Sequence, residues 1–410
     1  MSKRRVVVTG LGLISPCGKD VSESWENARA GNSGIDTITA FDVSDYRSQI
    51  GGEVTGFDPS EYIDRKQAKR MDRYSQLGIA ASRELFDDAG LEGMDTERVA
   101  TIIGSGIGGI KTFEKQHSRL IKRGPNKISP FFIPMMISDM VSGLISIEYG
   151  LKGPNFTSVS ACASGGHAIS SAFMSIRNGY ADAAVTGGAE ATISPMALGG
   201  FCSMKALSTR NDDPQAASRP FDRDRDGFIM SEGSGLIFLE ELEHARKRGA
   251  DIYAELKGIG MTADAYHMTS PVPGGGGAAR AMKMALADSG MAPEDIDYIN
   301  AHGTSTPYND PAESEAIRQV FGEDNGVLVS STKSCTGHLL GAAAGCEAVF
   351  SVMALREGIV PPTINLENVD EKCRLNHVLE AQEKDLKAVI SNSFGFGGHN
   401  VSLVFSKFNG

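Results

Sequence analysis

The strongest constraint on this chain is an internal echo. Segment 80–91, from Ala80 to Leu91, resembles segment 280–291, from Arg280 to Met291. Each reads as a helix closed by a glycine, Gly90 or Gly290, then an acidic turn and an apolar strand, 99–103 or 296–300. A second unit recurs in the same order. Thr157-Ser-Val-Ser-Ala-Cys162 leads into a small-residue turn and a helix, as does Val329-Ser-Ser-Thr-Lys333 with His338. The final strands, 235–240 and 401–406, correspond as well. Repeats of whole supersecondary units point to two similar halves packed around a pseudo-twofold axis. We place the junction at Gly249–Asp251, giving units 1–250 and 251–410. Short apolar runs at 6–9, 99–103, 183–186 and 235–239 alternate with helical spacing at 74–89 and 167–178, which makes the class α/β.

Composition narrows the function. The chain is 41% hydrophobic and 22% charged, an ordinary globular balance. It contains no apolar run near the ~20 residues of a spanning helix, which argues against membrane insertion. The net charge of −11 disfavours a nucleic-acid-coating surface. The six cysteines are scattered, without a CxxC pair, which argues against a disulfide framework and a zinc site. The N-terminus runs from a few basic residues straight into Val6-Val-Val, too short for a secretion signal, so the expected location is cytoplasmic.

Three stretches imitate known sites. Gly104-Ser-Gly106-Ile-Gly-Gly109 matches a dinucleotide fingerprint, but a helical stretch follows where that site needs a strand ending in an acid. Asp222-Arg-Asp224-Arg-Asp226 opens like a calcium loop, but Gly233 stands where the loop needs Glu; an ion-pair loop is the better reading. Pro273 and the four glycines after it read as a flexible surface turn.

The residues suited to chemistry lie at strand-to-helix or strand-to-loop turns, where α/β folds bind ligands. Cys162 stands before a helix starting near Ala163, where the positive end of the helix dipole favours thiolate. His302 and His338 follow short apolar strands amid small and hydroxylic residues, with Lys333 five positions before His338. Two imidazole donors beside a thiolate could stabilise an oxyanion or enolate. The loop at Ser393-Phe394-Gly-Phe396-Gly-Gly398 would expose backbone N–H groups.

Ser160-Ala-Cys162-Ala-Ser-Gly, Ala301-His302-Gly-Thr-Ser-Thr-Pro307, Lys333-Ser-Cys-Thr-Gly-His338 and Asn392-Ser-Phe-Gly-Phe396-Gly-Gly398 resemble, in order, the motifs of the β-ketoacyl-acyl carrier protein synthases. Gly187-Gly-Ala-Glu190, Arg219-Pro-Phe-Asp222 and Pro361-Pro-Thr-Ile-Asn365 extend the resemblance over the whole length. It implies a thiolase fold, five α-β-α-β-α layers in two pseudo-symmetric halves, in a homodimer without metal or cofactor. It also implies a decarboxylative Claisen condensation using acyl- and malonyl-acyl carrier protein. Cys162 would carry the acyl group. His302 and His338, as neutral imidazoles, would hold the enolate. Cys162 and Phe396 N–H groups would form the oxyanion hole, and Phe396 would gate the site. Lys333 would tune the cluster, paired with Glu347 or Asp310. Thr304 and Thr306 would bind the pantetheine arm, while Ile107 and Phe201 would contact substrate.

Departures from the pattern are His399, where many such enzymes carry Thr, and bulky Met135 and Met136 near the pocket. An acidic carrier protein implies a basic patch, drawn from Lys66, Lys69, Lys127 and Lys205 with Arg65, Arg70 and Arg73. A coenzyme A thiolase would need a second cysteine in loop 394–400, which has none, and a non-catalytic partner subunit would lack Cys162. A polyketide-type condensing enzyme and a purely structural acyl-carrier binder are the remaining alternatives.

Overall fold

A computed structural model describes residues 4–91, 94–323 and 326–410. Residues 1–3, at the head of the stretch read as lacking a secretion signal, lie outside it. The strands of the main sheet are β1 (Val6–Ile14), β2 (Val99–Gly104), β3 (Asn155–Ser158), β4 (Ala183–Glu190) and β5 (Gly233–Glu241) in the first half. In the second they are β6 (Ala254–Ala263), β7 (Tyr298–Asn300), β8 (Leu328–Ser330), β9 (Ala388–Gly395) and β10 (His399–Lys407). Across the sheet the order is β8-β7-β9-β10-β6-β1-β5-β4-β2-β3. Each half therefore uses the same topology, third-second-fourth-fifth-first from its outer edge. The halves join where β1 and β6 pair antiparallel, Val6 opposite Leu256 and Val8 opposite Ala254.

Five helices complete the layers: α1 (Arg73–Ala89), α2 (Ser164–Arg177), α3 (Gly276–Ser289), α4 (Asn309–Phe321) and α5 (Ala343–Glu357). Helix α1 covers β1, β4 and β5 from outside, and α3 covers β6 and β10. Between them α2 and α5 each touch strands of both halves. This is the five-layered thiolase arrangement.

The sequence accounts for it locally. β1 and β4 are buried along their full length, so they read as apolar or small runs without polar alternation. Glycines Gly90 and Gly290 close α1 and α3, each with positive φ. The middle layer packs Phe173 and Phe350 with Trp25, each 1% exposed. Truncating Phe350 to Ala should cost about 3–5 kcal/mol. No helix among the described residues is long and apolar enough to cross a membrane.

The loop around Asp222 is an ion-pair loop, as expected: Arg219 meets Asp222 at 3.0 Å and Arg225 meets Asp370 at 2.8 Å. The turn after Pro273 differs from expectation. Gly275 and Gly277 are buried, and a Cβ on either would overlap Ala312 or Asp264, so the turn is packed against the body of the protein.

Candidate active site

Cys162 sits on a sharp turn. Ala161 before it has φ +52°, a left-handed conformation rare for a residue with a Cβ, and α2 begins two residues later. Ser164 Oγ fastens the turn, accepting from the Ser160 N–H at 2.9 Å and donating to the Ala161 carbonyl at 2.6 Å. The β9–β10 loop comes so close that a Cβ on Gly395 would lie 2.6 Å from the Ser160 carbonyl oxygen and 3.2 Å from the Cys162 nitrogen.

His302 leaves the end of β7. Its backbone N–H and that of Gly303 each donate to the Glu313 carboxylate on α4 at 2.8 Å. His338 follows β8 and a short helix, Lys333–Thr336, and its N–H donates to the Ile229 carbonyl at 2.7 Å. The two imidazoles meet edge to face. Phe394 packs against His302 at 5.6 Å and Phe228 against His338 at 5.3 Å. Each imidazole has a buried Nδ1 without a partner among the described residues.

Cys162, His302, His338 and Phe396 line one cavity of about 520 Å³. Thr304, Thr306, Ile107 and Phe201 line it too, and the Thr304 and Thr306 hydroxyls lie 3.0 Å apart. Met135 and Met136 do not line the cavity; their backbone packs on Gly108 and Gly109, where the Gly109 N–H donates to the Met136 carbonyl at 3.0 Å.

Burial, then the Lys333 ammonium, pushes both imidazoles well below the usual range, so both are neutral at neutral pH. The thiol corrects the sequence-based expectation. Burial pushes Cys162 up to about 12, although Lys333 and the N–H groups of Phe396 and Cys162 itself pull the other way. The start of a helix is not enough to make a sulfur acidic when the sulfur itself is buried. Lys333, 1% exposed, is bonded to Glu347. Burial raises Glu347 to about 7 against the pull of that ammonium. Asp310 does not join them. It accepts from the Phe221 and Thr304 N–H groups at 2.9 and 3.1 Å and faces Arg225 at 3.7 Å.

Lys66, Lys69, Lys127 and Lys205 are exposed, but only Lys205 among them lines the cavity. Arg73 is corrected out of the basic group: its guanidinium is bonded to Glu232 at 2.6 Å. Sequence reasoning also missed Glu313, Phe228 and the wall residue Leu340. The spacing of Asp310 and Glu313, one turn apart at the start of α4, was the available signal for the first.

Residues 3–245 match the Beta-ketoacyl synthase N-terminal domain, and residues 253–367 match its C-terminal domain. The chain belongs to the β-ketoacyl synthase family. This synthase is 53% identical to a 3-oxoacyl-[acyl-carrier-protein] synthase 2 of Synechocystis sp., covering 100% of this chain and 99% of the relative. It is 52% identical to the protein of the same name in Coxiella burnetii, covering 99% of each. Among solved structures, a β-ketoacyl synthase from Burkholderia phymatum superposes with a TM-score of 0.92 at 34% identity, over 99% of this chain and 100% of that one. The ishigamide ketosynthase/chain length factor superposes at 0.94 and 35%, over 100% of both. A type II PKS acyl-carrier protein in complex with its ketosynthase also matches, at 0.92 and 34%, covering 100% of this chain and 100% of that one. The synthase is an acyltransferase, nearer to the 3-oxoacyl synthases than to the polyketide ketosynthases.

Proposed function

We propose that this synthase joins an acyl group to malonyl-acyl carrier protein by decarboxylative Claisen condensation in fatty acid elongation. The observation that carries the reading is a single cavity lined by a turn-borne thiol, two neutral imidazoles and the Phe396 loop. Cys162 Sγ bonds the acyl carbonyl carbon, and the carrier-protein thiol departs with the proton that the cysteine gives up. The Cys162 and Phe396 N–H groups hold the transient oxyanion. Malonyl-acyl carrier protein then enters along Thr304 and Thr306. Its carbon–carbon bond to the carboxylate breaks, carbon dioxide leaves, and the electron pair becomes an enolate. His302 and His338 donate hydrogen bonds to the enolate oxygen. The enolate carbon attacks the acyl carbonyl, and the Cys162 sulfur leaves as thiolate and takes up one proton from solvent. Lys333 serves by keeping both imidazoles neutral and by favouring the departing thiolate, and Phe396 gates the acyl chain. Mass spectrometry after mixing with acyl-acyl carrier protein tests the reading: one acyl group should appear on Cys162, and an unmodified protein would refute it.

The carrier protein docks on Lys66, Lys69, Lys127 and Lys205, of which Lys205 stands at the cavity mouth. The synthase works in the cytoplasm as a homodimer of two-part chains, 1–250 and 251–410. The dimer is supported by β3, one of the two outer strands of the sheet, on and near which Phe156, Val159 and Ile147 are 43%, 60% and 75% exposed.

A further inference from the structure

The loop that imitates a phosphate-binding fingerprint is filled from within, by a carboxyl group that burial raises to about 7 against the pull of its hydrogen-bond donors. The Glu190 side chain is fully buried at the end of β4. Its Oε1 accepts from the Ser105 hydroxyl at 3.2 Å and from the N–H groups of Ile107 and Gly108 at 3.2 and 3.3 Å. Its Oε2 accepts from the Gly106 N–H at 2.5 Å and from the Gly341 N–H at 3.1 Å. Five donors from two halves of the molecule therefore converge on one carboxylate.

The carboxylate also fills the space between these segments. A Cβ on Gly106 would lie 2.8 Å from Oε2, and one on Gly341 2.5 Å from it. Of the residues it holds, Ile107 lines the cavity directly, and Gly341 carries its neighbour Leu340 onto the wall. Ile107 is 39% exposed and faces the cavity. Leu340 lines it beside Gly341 with φ +49°, a strained backbone that needs outside support.

We propose that Glu190 is a positioning residue that sets which acyl chains the synthase accepts, by locking Ile107 of the first half against Leu340 of the second. This rests on the condensing function proposed above. A carboxylate suits the task because all five partners donate, and only a group with two acceptor oxygens satisfies them. A glutamine would turn an amide N–H₂ toward at least two of these donors. The wall would then shift by the fraction of an ångström that distinguishes a fitting chain from a clashing one.

The test is the ratio of kcat/KM for long over short acyl-acyl carrier proteins. Glu190→Gln should change that ratio by about tenfold, the scale of discrimination by a hydrophobic pocket. Ser105→Ala removes one donor without burying a new polar group, and should move the ratio the same way by less. In an Ile107→Ala background, Glu190→Gln should leave the ratio where Ile107→Ala alone puts it, because both act on the same wall. An equal loss for all chain lengths, or additive effects of the two substitutions, would overturn the proposal. Should Glu190→Gln fail to fold, Ser105→Ala decides: an unchanged ratio refutes. If the unaltered synthase condenses no acyl-acyl carrier protein, the functional reading fails instead.

Discussion

His302 and His338 stand edge to face, ring centroids 5.3 Å apart at 85°, on the wall of one cavity. A single enolate oxygen placed between them would meet two imidazoles that are already buried. Converting either to Ala should lower carbon dioxide release from malonyl-acyl carrier protein by about 10²–10³-fold, the effect of deleting one such donor. Normal release would contradict the assignment.

Cys162→Ala should abolish both acyl transfer and condensation. Cys162→Gln should also lose condensation while still releasing carbon dioxide from the malonyl thioester, since both imidazoles remain. Mass spectrometry and a carbon dioxide assay separate the two activities, and full turnover by the alanine variant would end the nucleophile assignment.

The Cys162 thiol, pushed up to about 12, stays protonated at neutral pH. A raised value means that the reactive thiolate grows with every step toward alkali. Alkylation of the free synthase by iodoacetamide should therefore rise about tenfold per pH unit from roughly pH 7 to 10, without levelling. A plateau near the ordinary thiol value would show an acidic sulfur after all. Lys333→Met, lacking the ammonium that pulls the thiol down, should react more slowly at each pH.

Lys333 and Glu347 are both buried and bonded to each other. Lys333→Ala strands the carboxylate and should destabilise the fold by about 3–5 kcal/mol in urea unfolding. Replacing both with apolar residues of similar size should restore much of that stability but not condensation. A double variant as unstable as the single one would show that the pair is not the cause.

Charge reversal at Lys66 with Lys69, or at Lys205 alone, should raise KM for acyl-acyl carrier protein and flatten its salt dependence. An unchanged KM would remove those residues from the docking surface.

Much of this architecture was legible in the sequence because it depends on local patterns. The echo between 80–91 and 280–291 foretold the repeated strand order, and the turns bearing Cys162, His302 and His338 share a cavity. What stayed hidden depends on distant neighbours. Arg73 looks like a free surface cation until Glu232, 159 residues away, is seen beside it. The glycines of 104–109 looked like a failed nucleotide loop, because nothing local reveals that Glu190 occupies it. The sequence suggests an acidic Cys162 because a helix start is visible in it, whereas the burial of the sulfur by residues distant along the chain is not.

The division of labour between the halves has one more consequence. The sulfur belongs to the first half, and the imidazoles and the Phe396 loop to the second, with α2 and α5 as the slab between them. Turnover is thus a gauge of how well the repeats interlock. Damage within the slab, at Phe173 or Phe350, should be felt as lost catalysis while the chain still looks folded.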